Sequence, residues 1–370
     1  MLITILVFIV MLSVLVLIHE LGHFLVAKKF GIKVEEFGFG FPPRVWGKRI
    51  GETLYSFNAL PIGGFVKLYG EDEAGGGRIK PETSSKKQVA DIHRAFFSRP
   101  IHQRLLVVVA GVTMNFLLAV VIITYLITAE GIPVQEKGVS ITEIAKNSPA
   151  ELSGIQKGDV VEKIGNIEIT NTKALITETR KHLGEKITIQ VRRGDQTQTL
   201  SVVPRKDFPT GEGPMGIAIT QKVNFQKYPF PKSLYYGTKQ ALSDSWQVVV
   251  GFKTVIVELA TRFTVPQGVA GPIGMAQLTG EFVRVGPSAV LALVYMLSLS
   301  LAVLNILPIP ALDGGRFFFI LVEAVTRRKM NARFEAYAHL VGLVLLLTFL
   351  ALVSYKDILR IMTGQSILPQ

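Results

Sequence analysis

Four long apolar stretches, separated by segments of mixed polarity, organise the 370-residue chain. Residues 1–18 carry no charge, and the apolar character runs to about residue 27, where Lys28 and Lys29 close it. Charge-free runs recur between Arg104 and Glu130, between Arg284 and Asp313, and between Glu335 and Lys356. Each reaches the roughly 20 residues that an α-helix needs to cross a hydrocarbon core. The pattern predicts a polytopic α-helical membrane protein with four spans, at about 1–27, 105–129, 286–312 and 336–355. The first run lacks a basic start and a small-residue cleavage site, so it is read as a retained span and not a signal peptide.

The segments between the spans are patterned too. Within 28–104, Thr53–Phe57 alternates like a strand, and Leu60-Pro61-Ile62-Gly63-Gly64 leads into a second strand-like run through Leu68. A hairpin or re-entrant β-element at the membrane face is expected there, and residues 71–90, polar and containing Gly75-Gly76-Gly77, are expected to be flexible. Residues 132–205 read as a small soluble α/β module. Val139–Ile144 is strand-like, Ser148-Pro149-Ala150 opens a short helix with Ser148 as its cap, Thr172–His182 is amphipathic, and a last hairpin turns at Gly194-Asp195. In 206–285, Tyr235, Leu242, Trp246, Val249 and Phe252 fall at near-helical spacing, but Lys239, Asp244, Lys253 and Glu258 interrupt the run. That segment reads as an amphipathic interfacial or packing helix, not a fifth span.

The net charge of +12 invites a nucleic-acid reading, yet no binding motif accompanies it. Its location matters more. Residues 28–104 hold 14 Lys+Arg against 8 Asp+Glu, and the short connection 313–335 is also basic. By the positive-inside rule both face the cytoplasm beside anionic lipid headgroups, which places the N-terminus, 130–284 and the C-terminal tail outside. Cysteine is absent, which excludes disulfides and thiolate metal ligands.

The first span carries His19-Glu20-Leu21-Gly22-His23. An ionisable side chain at membrane depth is costly, about 2.5–3.5 kcal/mol for a charged group at a helix centre. On a helix His19 and His23 lie about 40° apart around the axis, so both rings can meet one ion. Glu20 shares the sector and can take a proton from a water held there. Two imidazoles, a carboxylate base and an open position form the zinc-hydrolase arrangement, in which the metal lowers the pKa of water to about 7. Catalytic zinc usually takes a third protein ligand. Asp313 is the candidate, at the end of Asn305-Ile306-Leu307-Pro308-Ile309-Pro310-Ala311-Leu312-Asp313-Gly314-Gly315, where two prolines break the third span. Asn305, deeper in that span, is expected either to donate to an oxyanion at a peptide carbonyl or to make a packing or interhelical hydrogen bond. His339 is expected to make a hydrogen bond between helices, Asn115 a polar contact near the site, and His93, His102 and His182 to be solvated. A tail-binding scaffold would need neither Glu20 nor Asp313, and a metal transporter would show more ligands within its spans.

These residues together resemble the site-2 protease family of intramembrane zinc metalloproteases, in particular the bacterial regulator-of-sigma-E protease type. His19–His23 matches the family's zinc motif and Asn305–Gly315 its second motif. Gly271-Pro272-Ile273-Gly274 is similar to its Gly-Pro element, and Ala110–Phe116 to its second-span motif, with valine where proline is usual. The 60–68 element resembles the family's membrane-embedded β-region, and 132–205 resembles a single PDZ domain. The resemblance implies a zinc endopeptidase with His19, His23 and Asp313 as ligands, Glu20 as base and Asn305 near the substrate. It implies substrates that are transmembrane segments already trimmed by another protease: anti-sigma-factor-like regulators or remnant signal peptides. It also implies an extracytoplasmic PDZ domain that binds a peptide or protein tail, with Gly138-Val139 near its carboxylate loop, or screens substrates by size. The site would then lie near the cytoplasmic side of a bacterial inner membrane.

Overall fold

The computed structural model describes residues 2–71, 92–135, 137–209, 211–221, 223–262, 266, 268–328 and 330–363. The polar stretch 71–90 therefore lies, beyond Glu71, outside the described residues. The chain divides into two compact units, Met1–Thr128 with Pro229–Gln370, and Ala129–Tyr228. It begins with α1 (Leu2–Lys29), β1 (Val34–Ile50), β2 (Thr53–Leu68) and α2 (Ile101–Ala129). The second unit holds β3 (Ile132–Gln135), β4 (Val139–Ile144), α3 (Pro149–Leu152), β5 (Val160–Ile164), β6 (Ile167–Glu168), α4 (Thr172–Lys181), β7 (Ile187–Arg193), β8 (Gln196–Val202), β9 (Ile217–Thr220) and β10 (Val223–Gln226). The first unit resumes with α5 (Lys232–Arg262), α6 (Pro272–Val285), α7 (Pro287–Ile306), α8 (Asp313–Thr326) and α9 (Ala332–Met362).

Four helices are long and apolar enough to span a bilayer: α1, α2, α7 and most of α9. An uninterrupted run of aliphatic residues satisfies its own backbone as a helix, which is what a lipid solvent demands. α1, α2 and α7 pack on one another. Met11 and Leu15 of α1 meet Leu293 of α7, and Ala119, Val120 and Leu126 of α2 meet Tyr295 and Leu299 of α7. Between membrane helices such contacts are held by close packing and not by exclusion of water. α9 leaves most of its apolar surface outward, with only 11% of its spanning window buried. Its far end is nonetheless tied down. The buried Asp357 carboxylate accepts from the backbone N–H groups of Gly271 and Gly274, at 2.9 and 2.8 Å, and so caps α6 from outside that helix. The segment expected to be amphipathic forms α5, whose Ala241 packs against α2 and α7.

The β-element is more folded than a simple hairpin. Residues 36–39 pair with 54–57 on one side and with 64–67 on the other, while 44–50 pairs with 53–58. Four segments thus lie side by side, and 60–68 forms one edge. That edge runs along α1, where Ser13 Oγ donates to the Pro61 carbonyl at 2.6 Å. Across the turn of the element, Glu52 is held by Lys28 at 3.0 Å and by Arg94 at 2.7 Å.

In the second unit the strand order is β8-β7-β5-β4-β9, with β6 beside β5. Val139, Ile141, Val161, Ile189, Val191 and Leu175 of α4 form its core. Ser148 caps α3 as expected, its Oγ accepting from Glu151 N at 3.2 Å, which contributes about 1 kcal/mol. The unit extends past 205, because β9 completes the sheet and β10 pairs with β3. Val139 opens β4, which is paired on both sides, by β5 and by β9, so it offers no free edge for a chain end. The strand order ends at β9 on this side and at β8 on the other, so both are edges of the sheet.

Candidate metal centre

His19 and His23 sit one turn apart on α1, and the sequence brings that turn close to α2. A Cβ on Gly22 would lie 2.7 Å from the Ala110 carbonyl carbon and 2.8 Å from Met114 Cγ. Facing it, a Cβ on Gly111 would lie 2.7 Å from His23 Cε1 and 2.8 Å from His19 Cε1. Glycine at both positions lets the two helices approach until the imidazoles rest on bare backbone. His23 is oriented by its Nδ1, which donates to the Val107 carbonyl at 2.8 Å. The proton is thereby on Nδ1, and the Nε2 lone pair faces inward.

The third group arrives from a break in the chain. α7 stops at Ile306, Ala311 takes φ +82°, and Leu312 is extended before Asp313 opens α8. Asp313 therefore starts a helix; the expectation that it ends a span running to 312, with a plain connection at 313–335, is corrected by these elements. The first turn of α8 presses on the returning chain, since a Cβ on Gly314 would lie 2.6 Å from the Leu307 carbonyl carbon. His339 of α9 steadies the loop by accepting at Nδ1 from Ala311 N at 2.9 Å. At the other end of α8, the Glu323 carboxylate receives two N–H groups of Arg104, at 3.0 and 2.8 Å.

The result is a compact triangle. Asp313 Oδ2 lies 2.8 Å from His19 Nε2 and 3.2 Å from His23 Nε2, and the two Nε2 atoms are 3.2 Å apart. Tetrahedral zinc with bonds of about 2.0–2.1 Å needs ligand atoms about 3.3 Å apart. The triangle fits that ion with shifts of a few tenths of an ångström, and the donor set of two imidazoles and a carboxylate suits it. Glu20, half-buried, lines a cavity of ≈ 370 Å³ together with His23, Asp313, Arg316 and Phe65–Leu68 of β2. A Cβ on Gly64 would lie 3.9 Å from Glu20 Cγ, so the β2 edge runs past this carboxylate.

A protein-family model described as peptidase family M50 matches residues 7–349. The chain belongs to peptidase family M50. A putative zinc metalloprotease of Clostridium perfringens is 33% identical over 353 residues, covering 94% of this chain and 96% of that protein. The zinc metalloprotease RasP of Oceanobacillus iheyensis is 28% identical over 97% of this chain and 99% of its own. The regulator of sigma-W protease RasP of Bacillus subtilis is 26% identical over the same shares. A solved PDZ domain of an SdrC-like protein from Listeria monocytogenes covers 24% of this chain and 94% of its own at 19% identity, with a TM-score of 0.21, too slight a likeness to decide the fold of the second unit. The M50 protein is thus a zinc metalloprotease of the site-2 protease family, with four helices suited to a multi-pass membrane protein.

Asn305 stands apart from the rest of the expected set. It lies in the last turn of α7, half-buried, and among the described residues it does not line the cavity. Two charged lining residues escaped the sequence reading, Arg316 and Glu71. Arg316 lies three residues after Asp313 on α8 and makes an ion pair with Glu71, just past the end of β2. The signal was the i, i+3 spacing, visible only once Asp313 is known to begin a helix.

Proposed function

We propose that this M50 zinc metalloprotease cleaves membrane-spanning segments inside the bilayer, with His19, His23 and Asp313 as zinc ligands and Glu20 as the general base. The observation that carries the reading is the shared cavity: Glu20, His23 and Asp313 line it together with residues 65–68 of the β2 edge. Zinc supplies Lewis acidity toward water and the scissile carbonyl. Glu20 accepts the proton of the attacking water and returns it to the leaving amide nitrogen. Asn305 lies outside the cavity lining, so a role at the developing oxyanion requires the end of α7 to move toward the bound substrate.

A peptide bond in a helix is wrapped by its own hydrogen bonds, so the substrate must be locally extended. Adding it as a strand along 60–68 satisfies its backbone in a dry site and delivers it to Glu20. Exposed Phe41, Val45, Trp46 and Leu60 give the β-element an apolar rim suited to the lipid interface. The basic residues at the end of α1 and around α8 support a site on the cytoplasmic side, with the second unit outside. That unit is read as a PDZ domain in which β9, preceded by the Gly213–Gly216 turn, receives a peptide end along its free edge. The substrates are transmembrane segments already shortened by another protease, regulators of the anti-sigma type or remnant signal peptides.

The test is Glu20→Gln with a reporter transmembrane segment in proteoliposomes. Cleavage falls by at least about 100-fold, the usual weight of a general base, while zinc content and insertion are unchanged. Turnover within threefold of the parent sinks the mechanism.

A further inference from the structure

The two histidines of the centre are supported differently. His23 has a backbone carbonyl to receive its Nδ1 proton, but His19 Nδ1 faces a side-chain amide. Asn115 Nδ2 lies 3.3 Å from it. Asn115 is completely buried on α2, one turn beyond Gly111, and its Oδ1 is a buried acceptor without a partner among the described residues. Its backbone carbonyl receives Ser298 Oγ of α7 at 2.8 Å, which fixes the main chain at this point.

For both Nε2 atoms to serve one cation, each ring must be neutral with its proton on Nδ1. At His19 that sets an N–H against the amide N–H₂, donor against donor. A half-turn of the terminal amide exchanges Nδ2 and Oδ1 at almost no steric cost. The unpartnered oxygen then receives the proton. We propose that Asn115 is the positioning residue for His19: its amide oxygen accepts the Nδ1 proton, holds the tautomer whose Nε2 lone pair points at Asp313 and His23, and raises the basicity of that nitrogen. This rests on the reading that His19 is a zinc ligand. An amide suits the position better than a carboxylate in charge terms. Two neutral imidazoles, Asp313 and Glu20 already balance a divalent cation, and a third carboxylate would add uncompensated charge within a span.

Zinc affinity is measured by chelator competition on the purified full-length protein in detergent, for Asn115→Leu, Asn115→Asp, Ser298→Ala and His19→Ala. Leucine keeps the volume and removes the acceptor, so affinity falls 10- to 100-fold, the usual effect of losing such a support. Aspartate restores an acceptor and holds zinc within threefold of the parent, as does Ser298→Ala, which removes the hydrogen bond to the Asn115 backbone carbonyl but leaves the side-chain amide in place. An Asn115→Leu affinity within threefold of the parent overturns the proposal. So does an equal loss in the leucine and aspartate variants. If the leucine variant does not fold, a tenfold loss in Asn115→Asp alone overturns it. Should His19→Ala itself keep the parental affinity, the ligand assignment fails and not merely the role of Asn115.

Discussion

Gly111→Ala adds one methyl group where two zinc-ligand rings rest on helix backbone. The new Cβ would meet His23 Cε1 at 2.7 Å and His19 Cε1 at 2.8 Å, where ordinary contact begins near 3.4 Å. The rings or the helices must therefore move by at least about 0.7 Å, since His23 Nε2 is nearer still. Alanine alone would favour the helix by up to about 1 kcal/mol, so any loss is due to the overlap. Overpacking of this kind typically costs about 1–3 kcal/mol. The functional cost is larger, because a misplacement of about 1 Å at a reacting centre can cost on the order of 100-fold in rate. The ligand triangle, already 2.8–3.2 Å on its edges, has little room to absorb the shift. Zinc per chain and reporter cleavage are measured beside Gly251→Ala, a helical glycine whose Cβ meets nothing within 4 Å. Gly251→Ala behaves as the parent, whereas Gly111→Ala loses zinc and at least about 100-fold in cleavage. Full zinc and cleavage within threefold for Gly111→Ala would refute the close-approach argument.

Two further outcomes test the supports around the centre. Glu323→Ala strands the buried Arg104 guanidinium and lowers stability to denaturant by about 3–5 kcal/mol, with reduced zinc retention because α8 carries Asp313; a change below about 1 kcal/mol would show the pair to be incidental. Hydrogen bonds from Arg94, reinforced by Lys28 and only partly offset by desolvation, hold the Glu52 carboxyl down at about 2 from its ordinary 4.5. A depressed folded-state pKa gives stability that is complete above the unfolded value and lost as pH falls toward 2. Glu52→Gln therefore removes part of the acid sensitivity between pH 4.5 and 2, and identical acid titrations of parent and variant would dismiss the contribution.

Much of this architecture is legible in the sequence because lipid imposes a simple rule. A charge-free run of about 20 residues has to be a helix, and the four runs became α1, α2, α7 and α9. His19 and His23 were readable from their spacing, and Asp313 from the prolines and glycines around it. What escaped depends on contacts between distant segments. α8 reads as a connection because Arg316 and Glu323 interrupt its apolar pattern, and their reasons for being there are Glu71 and Arg104 on other elements. β9 is four residues long and acquires its identity only by pairing with β4. The cap of α6 is invisible to local pattern because it is Asp357, 83 residues away from Gly274. The short reach of sequence patterns also explains Asn115. Its place one turn beyond Gly111 is visible, but the ring it faces is 96 residues away.

The central claim is that two imidazoles on α1 and one carboxylate at the start of α8 form a single zinc site. Zinc per chain, measured on purified Asp313→Ala beside Glu20→Gln, tests it most directly. The account predicts about one zinc per chain for Glu20→Gln, which keeps all three ligands, and loss of zinc for Asp313→Ala at the same free metal concentration. An Asp313→Ala protein that holds zinc as fully and as tightly as Glu20→Gln would contradict it.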